Sequence, residues 1–292
     1  MLELASRLLF AAACVSAAFT VGFSFFVGWA ASRFWRPPGP RPEPPGGGTL
    51  PAVTILKPIN GVDIGLYANL ASFLSQDYPC LQVVFCLHDP RDPAMPILRR
   101  LQAQFPGADV EIVVSRGRIG FNPKINNLSN AAGLIKHELL LISDSDVRVP
   151  RNFLREAVRP FADPRVGLVT AFYQSRCAAG FVPALESLAV NAWFLPQALG
   201  AVGLGMRFAM GAVMLVPRKI FDELGGFEAL SRHLADDYLL GASVQALGYR
   251  IEVVEPVVFS VPDIRSIWEH FDHLVRCCRT IRVCQPSGYL GS

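Results

Sequence analysis

Apolar residues fall along this chain in short runs separated by polar or Gly/Pro breaks, with one exception near the amino end. From residue 53 the runs alternate between the two periods of regular structure. VTILKP (53–58), LQVVFCLHD (81–89), VEIVVS (110–115) and LLLISDSD (139–146) are continuous apolar stretches that predict buried strands. LYANLASFLSQ (66–76), PAMPILRRLQAQF (93–105) and KINNLSNAAGLI (124–135) space their apolar residues as helices do. Strands buried on both sides and separated by helices predict a mostly parallel sheet with helices on both faces, an α/β domain of Rossmann-like type. The pattern loosens beyond residue 180. Residues 181–216 are nearly uncharged, carrying only Glu186 and Arg207, and read either as core helices followed by a strand at 210–216 or as partly a surface lying in a lipid interface. GASVQALGYRIEVVEP (241–256) reads as helix, turn and a further strand.

The exception is Leu8 to Ala31, an uncharged apolar run long enough to cross a bilayer as a helix. A cleaved signal peptide would have a shorter apolar region, so a single transmembrane anchor is expected. Arg33, Arg36 and Arg41 follow the run, whereas Arg7 before it is offset by Glu3, which places the globular part on the cytoplasmic side. The stretch from Arg36 to Gly48 is a Pro/Gly tether with too little apolar surface to pack. The expected division is therefore an anchor at 1–35, a linker at 36–50 and one globular domain at 51–292, with the protein in the inner (cytoplasmic) membrane.

Composition changes this picture little. Hydrophobic residues are 51% of the chain and mean hydropathy is +0.34, an excess concentrated in the anchor. The seven cysteines form no CxxC pair and are odd in number, as expected of reduced thiols in a cytosolic domain. A net charge of +3 is too small to predict nucleic acid as a partner. The five histidines show no metal-ligand spacing.

The chemistry is carried by acidic motifs placed at or just beyond strand ends, where ligands bind in such sheets. Asp144 and Asp146 of SDSDVRV (143–149) are same-side positions after a strand and can share one cleft. Two carboxylates that close repel unless a cation such as Mg²⁺ or Mn²⁺ sits with them, bridging to a diphosphate. Asp89 and Asp92, in a Pro-rich turn, could accept from a base N–H or a ribose hydroxyl, or simply shape the turn. Lys124, at a helix start in NPKINNL (122–128), is placed for nucleotide or diphosphate oxygens. Of Asp236 and Asp237, one is expected to cap the following helix and the other to be free as a general base. Arg276, Arg279 and Arg282 recur every third residue and form a basic stripe for a diphosphate or for a membrane surface. Together these groups suit a nucleotide-sugar transferase.

Read together, KPINGVD (57–63), QDYP (76–79), HDPRDPA (88–94), NPKINNL, DSDVRVP (144–150), the Gly-Gly-Phe at 225–227, LADDY (234–238) and RCCRTIR (276–282) resemble the ceramide glucosyltransferase family, glycosyltransferase family 21. The phrase RTIRVCQPSGY (279–289) is similar to bacterial hopanoid-associated members. The resemblance implies a GT-A fold, a UDP-sugar donor carrying glucose or N-acetylglucosamine, inversion at the sugar, and a lipid hydroxyl acceptor such as bacteriohopanetetrol or, alternatively, ceramide. It also implies that Asp92, with Asp89 nearby, and Asp144 bind the nucleotide, that Asp237 is the base, and that Arg276 and Arg279 fall on a Q/R-x-x-R-W motif. Thr280 stands where that motif has Trp, and Asp146 strengthens metal binding. Related chains continue into further membrane helices, so truncation at Ser292 is an expectation. Two rivals are a polysaccharide synthase, which would need several spans, and a non-catalytic nucleotide-sugar-binding membrane protein, which sugar-transfer assays would separate from an enzyme.

Overall fold

A computed structural model describes residues 2–35, 50–176 and 180–284. The Arg36–Gly48 tether, Cys177 and the end of RTIRVCQPSGY lie outside the described residues. The six cysteines that are described are all free. The first half of the domain is β1 (Val53–Pro58), α2 (Leu66–Leu74), β2 (Leu81–Leu87), α3 (Met95–Gln104), β3 (Asp109–Val114), α4 (Pro123–Ser129) and β4 (Leu139–Ser143). After it come β5 (Val147–Arg148), α5 (Phe153–Val158), β6 (Val166–Ser175), α6 (Phe181–Leu188), a π-helical stretch (Ala189–Phe194) and α7 (Leu195–Gly203). The chain closes with β7 (Val213–Pro217), α8 (Arg218–Glu223), α9 (Gly226–Leu230), α10 (Asp236–Ala246), β8 (Arg250–Ser260) and α11 (Ile267–Cys284).

The eight strands form one sheet in the order β3-β2-β1-β4-β7-β6-β8-β5. β3, β2, β1 and β4 are parallel, as the βαβ pattern predicts. The second half is mixed, because β7 runs antiparallel to both β4 and β6, and β5 antiparallel to β8, while β6 and β8 are parallel. The strand expected at 210–216 starts only at Val213, since the Thr170 hydroxyl bonds the Val213 carbonyl (2.8 Å) and receives the Met210 amide (3.1 Å), turning the chain there.

Strand alternation builds a core on each face. Val53, Ile55, Val83, Phe85 and Leu141 pack on one side, and Leu56, Val84, Leu140 and Ile142 on the other. Truncating such a residue, for example Leu141→Ala, costs about 2–5 kcal/mol. A third cluster joins Phe172, Leu195, Leu199 and Val202 to Val27, Ala31 and Phe34 of α1 (Leu2–Phe34). The amino-terminal helix is thus docked on the domain by its last turns. Gly203 permits this approach, as a Cβ there would lie 2.7 Å from that of Ala30. The stretch Glu3–Phe34 is long and apolar enough to cross a membrane.

Sheet order also explains why the Asp144-Ser145-Asp146 turn is special. β4 and β5 stand four strand positions apart, about 19 Å on a flat sheet. Only residues 144–146 join them, and four residue steps reach at most about 14 Å. The sheet therefore curls, and the acidic turn spans the mouth of the curl.

Candidate active site

Three elements hold that turn from different sides. Lys57 of β1 donates to the Ser143 hydroxyl (3.0 Å) and to the Asp144 carbonyl (2.6 Å). Its ammonium also sits 3.6 Å over the Phe73 ring. Burial lowers the Lys57 pKa to about 7, against the pull of Asp144 and Asp146. The Ser145 hydroxyl donates to Asp63 Oδ2 (2.9 Å), and the Ser260 hydroxyl of β8 donates to Asp146 Oδ2 (2.6 Å). Burial, helped by the Asp144 charge, pushes Asp146 up to about 6. Burial likewise raises Asp63.

α4 delivers Lys124 to the same turn. Pro123 opens that helix and the Asn122 side chain accepts from the Lys124 and Ile125 amides, fixing its start. Lys124 Nζ then lies between Asp144 Oδ1 (2.8 Å) and Asp236 Oδ2 (2.9 Å). Burial opposes the charge, but the two carboxylates outweigh it and hold the Lys124 pKa above the ordinary lysine value. Asp236 is buried beneath this pair, and Asp237 turns the other way. Asp237 Oδ1 accepts from the Tyr238 amide (2.7 Å), and Oδ2 faces Gly211, where a Cβ would come within 3.1 Å. Burial, together with the Asp236 charge, raises the Asp237 pKa.

Two cavities of about 730 Å³ each meet at this turn. Asp63, Asp144, Ser145 and Arg276 line both, so they form one divided cleft. The first cavity carries Lys124, Arg118, His88, Asn126 and Asn127. In the second, carboxylates dominate, including Asp146, Asp237 and Glu186, with Arg276 and His273 as its basic side chains.

The structure thus gathers Lys124, Asp144, Asp146, Asp237 and Arg276 at one cleft. It leaves other expected residues outside. Asp89 pairs with Arg91 (3.4 Å) and Arg116 (3.6 Å) and lines neither cavity. Asp92 also lines neither, and accepts instead from the Gly61 amide (3.0 Å) and the Ala94 amide (2.8 Å), pinning the loop that carries Asp63. Arg279 and Arg282 are exposed and line neither cavity, because a three-residue spacing drifts about 60° per step around a helix. Ala235 holds the N-cap position of α10 without a side-chain bond, and Asp237, at the second helical position, accepts instead from the first-turn amide of Tyr238. Sequence reasoning gave no role to Lys57, Asp63, Glu186, His270 or His273, all of which the fold brings to the cleft or its edge.

The donor set fits a hard cation of the Mg²⁺ or Mn²⁺ kind. Asp146 is a half-buried carboxylate with a raised pKa and one oxygen not bonded by Ser260, which is the state an adjacent cation would relieve. Among the described residues no group of three or more His, Cys, Asp or Glu side chains is arranged to hold a metal alone. Such a cation would therefore need phosphate oxygens and water to complete its shell.

Comparison with known proteins agrees with this geometry. The profile of glycosyl transferase family 21 matches residues 9–292, and the chain belongs to that family. Ceramide glucosyltransferase 1 of Caenorhabditis elegans is 30% identical over 206 residues, covering 70% of this chain and 44% of that protein. Ceramide glucosyltransferase of Candida albicans is 37% identical over 118 residues, covering 36% of this chain and 22% of that one. The chain spans about half or less of the length of these relatives. A mannosyltransferase of Pyrobaculum calidifontis, solved with GDP-mannose and Mn²⁺, superposes with a TM-score of 0.61 at 22% identity, over 92% of this chain and 73% of that one. The fold is accordingly of the GT-A type.

Proposed function

We propose that this chain transfers a sugar, glucose or N-acetylglucosamine, from a UDP-sugar to the hydroxyl of a membrane lipid, with inversion at the anomeric carbon. The observation that carries this reading is the separation of the two adjacent aspartates. Asp236 is engaged by Lys124, which leaves Asp237 facing the second cavity beside Asp144 and Asp146. Asp237 takes the proton of the acceptor hydroxyl, the oxygen forms its bond to the sugar C1, and the bond from C1 to the diphosphate breaks with its electrons leaving on UDP. A pKa raised by burial suits that base, since a base works best when its pKa approaches the working pH. Lys124 and Arg276 stand where the diphosphate would lie, and the nucleotide occupies the first cavity. A divalent cation held by Asp146 would neutralise charge on the departing diphosphate.

The acceptor we propose is a polyol-bearing lipid of the hopanoid kind. A cavity rich in carboxylates offers acceptors to several hydroxyls, and Thr280 replaces the motif's Trp. Ceramide is the second reading, favoured by the names of the relatives. The apolar α1, with its basic carboxyl flank, anchors the domain at the cytoplasmic face of the inner membrane. Exposed Leu204, at the end of α7 beside α1, and exposed Phe181 and Leu188 of α6 meet the bilayer surface. The test is transfer of labelled sugar from UDP-glucose and UDP-N-acetylglucosamine into a bacterial lipid extract, read by mass spectrometry of the product. Labelled glycolipid is expected. UDP-sugar binding without any transfer would instead leave a non-catalytic nucleotide-sugar-binding protein.

A further inference from the structure

None of the residues of α11 is buried, yet this helix brings Arg276 to the wall shared by both cavities. Something other than a deep apolar seam must hold it. The half-buried stripe of α11 includes His270, His273, Leu274 and Cys277, and it faces α6. On α6 stands Glu186, a carboxylate only 2% exposed in an otherwise apolar segment. A carboxylate buried there is costly unless it is paired. Both of its oxygens are met by α11: Oε2 lies 2.7 Å from His270 Nδ1 and Oε1 lies 2.8 Å from His273 Nδ1. The two histidines are three residues apart, so both point to one side of the helix. On its far side the His273 ring meets the Cys277 thiol at 3.5 Å. Arg276 follows His273 by less than one turn.

We propose that Glu186, through His270 and His273, is a positioning residue that latches α11 against α6 and so fixes Arg276 over the boundary between the two cavities, where it engages a diphosphate. The charges agree with this geometry. The Cys277 thiol and the Glu186 carboxylate raise His273 to about 10. Burial works against the Glu186 charge, but the His273 and His270 contacts outweigh it and hold its pKa below the ordinary value. The latch is therefore an ion pair across two helices, and a neutral side chain of the same shape cannot reproduce it. The role of Arg276 rests on the proposed sugar transfer, whereas the latch itself does not.

The test is a double-mutant cycle on the full chain in detergent, with Glu186→Gln, Arg276→Ala and their combination. Pairs that act as one unit couple by an amount that corresponds to a factor of about ten in affinity. Glu186→Gln is expected to raise the KM for the UDP-sugar, and the Kd for UDP by calorimetry, about tenfold, with a much smaller change in kcat. Added to Arg276→Ala, it should change either constant less than twofold. Deuterium exchange should quicken in residues 267–284 of Glu186→Gln while β6, β8 and α10 keep their protection. Additive effects in the cycle, or unchanged exchange in α11, would overturn the proposal. Should Glu186→Gln fail to fold, His273→Asn goes through the same cycle. If no sugar is transferred by any form, the proposed function fails, and UDP calorimetry with deuterium exchange still decides the latch.

Discussion

The two cavities that meet at Asp144 are built on opposite chemistry. The first, walled by the parallel half of the domain, presents Lys124, Arg118 and side-chain amides. The second, assembled from the mixed half, presents carboxylates around Asp237. Cations and amide donors suit a nucleoside diphosphate, whereas carboxylates suit hydroxyls that must be oriented and deprotonated. The cleft is thus divided by charge before any substrate arrives. Asp236 and Asp237 sit at the division: Lys124 binds one, and the other faces the second cavity.

The sharpest way to break this comparison is Asp237→Asn. If the second cavity is where the proton is removed, transfer should fall about 10²–10⁴-fold while UDP binding by calorimetry stays near wild type. A variant retaining more than half the rate would show that Asp237 only shapes the start of α10. Lys124→Met attacks the division itself. It leaves Asp144 and Asp236 facing each other without their shared cation, and breaking a buried ion pair costs about 3–5 kcal/mol. Because Asp144 is 39% exposed, the loss should be smaller, about 2–3 kcal/mol, read by chemical denaturation. UDP affinity should fall with it.

A smaller effect sharpens the role of the turn between the cavities. UDP binding should weaken about tenfold in EDTA, and Asp146→Ala should bind UDP equally with or without the chelator, because carboxylate and diphosphate repel when no cation lies between them. Equal affinities in the wild type would exclude the cation role.

The contrast between the cavities also explains what was legible in the sequence. In the parallel half each strand ends in a motif, so reading strand, break and charge located Lys124, Asp144 and Asp146 directly. Asp89 and Asp92 sit at the same kind of strand end, but they line neither cavity and are bonded by Arg91, Arg116 and the Gly61 amide. The second cavity draws on Asp63, Glu186, Asp237, Ser260 and His273, which lie far apart in the chain and meet only because the sheet curls. Periodicity holds no information about that meeting. One signal was present all the same: Glu186 is the lone acid in the apolar stretch at 181–216, and an isolated carboxylate there requires a partner. Its partners, two histidines spaced for no metal motif, could not be chosen without the position of α11.

The smallest expected effect concerns the acceptor, and it tests whether the acidic cavity has any preference among hydroxyl-bearing lipids. A headgroup with several hydroxyls can donate to more than one of the carboxylates beside Asp237, whereas ceramide presents fewer donors there. Each added hydrogen bond to a charged acceptor contributes roughly 1.5–3 kcal/mol at best, and exposure in an open cleft reduces it. A preference of about tenfold in kcat/KM for bacteriohopanetetrol over ceramide is therefore expected when both are offered in the same detergent. In the proposed mechanism Asp237 serves either acceptor by the same chemistry, so Asp237→Asn should lower both rates by the same factor. Removing another carboxylate that lines the second cavity, with Asp272→Asn, should instead narrow the preference while leaving the ceramide rate nearly unchanged. A kinetic preference for ceramide in the wild type would reassign the acceptor and leave the division between donor and acceptor cavities standing. Equal loss on both acceptors in Asp272→Asn would show that the acidic lining sets the overall field of the cleft and not the choice of lipid.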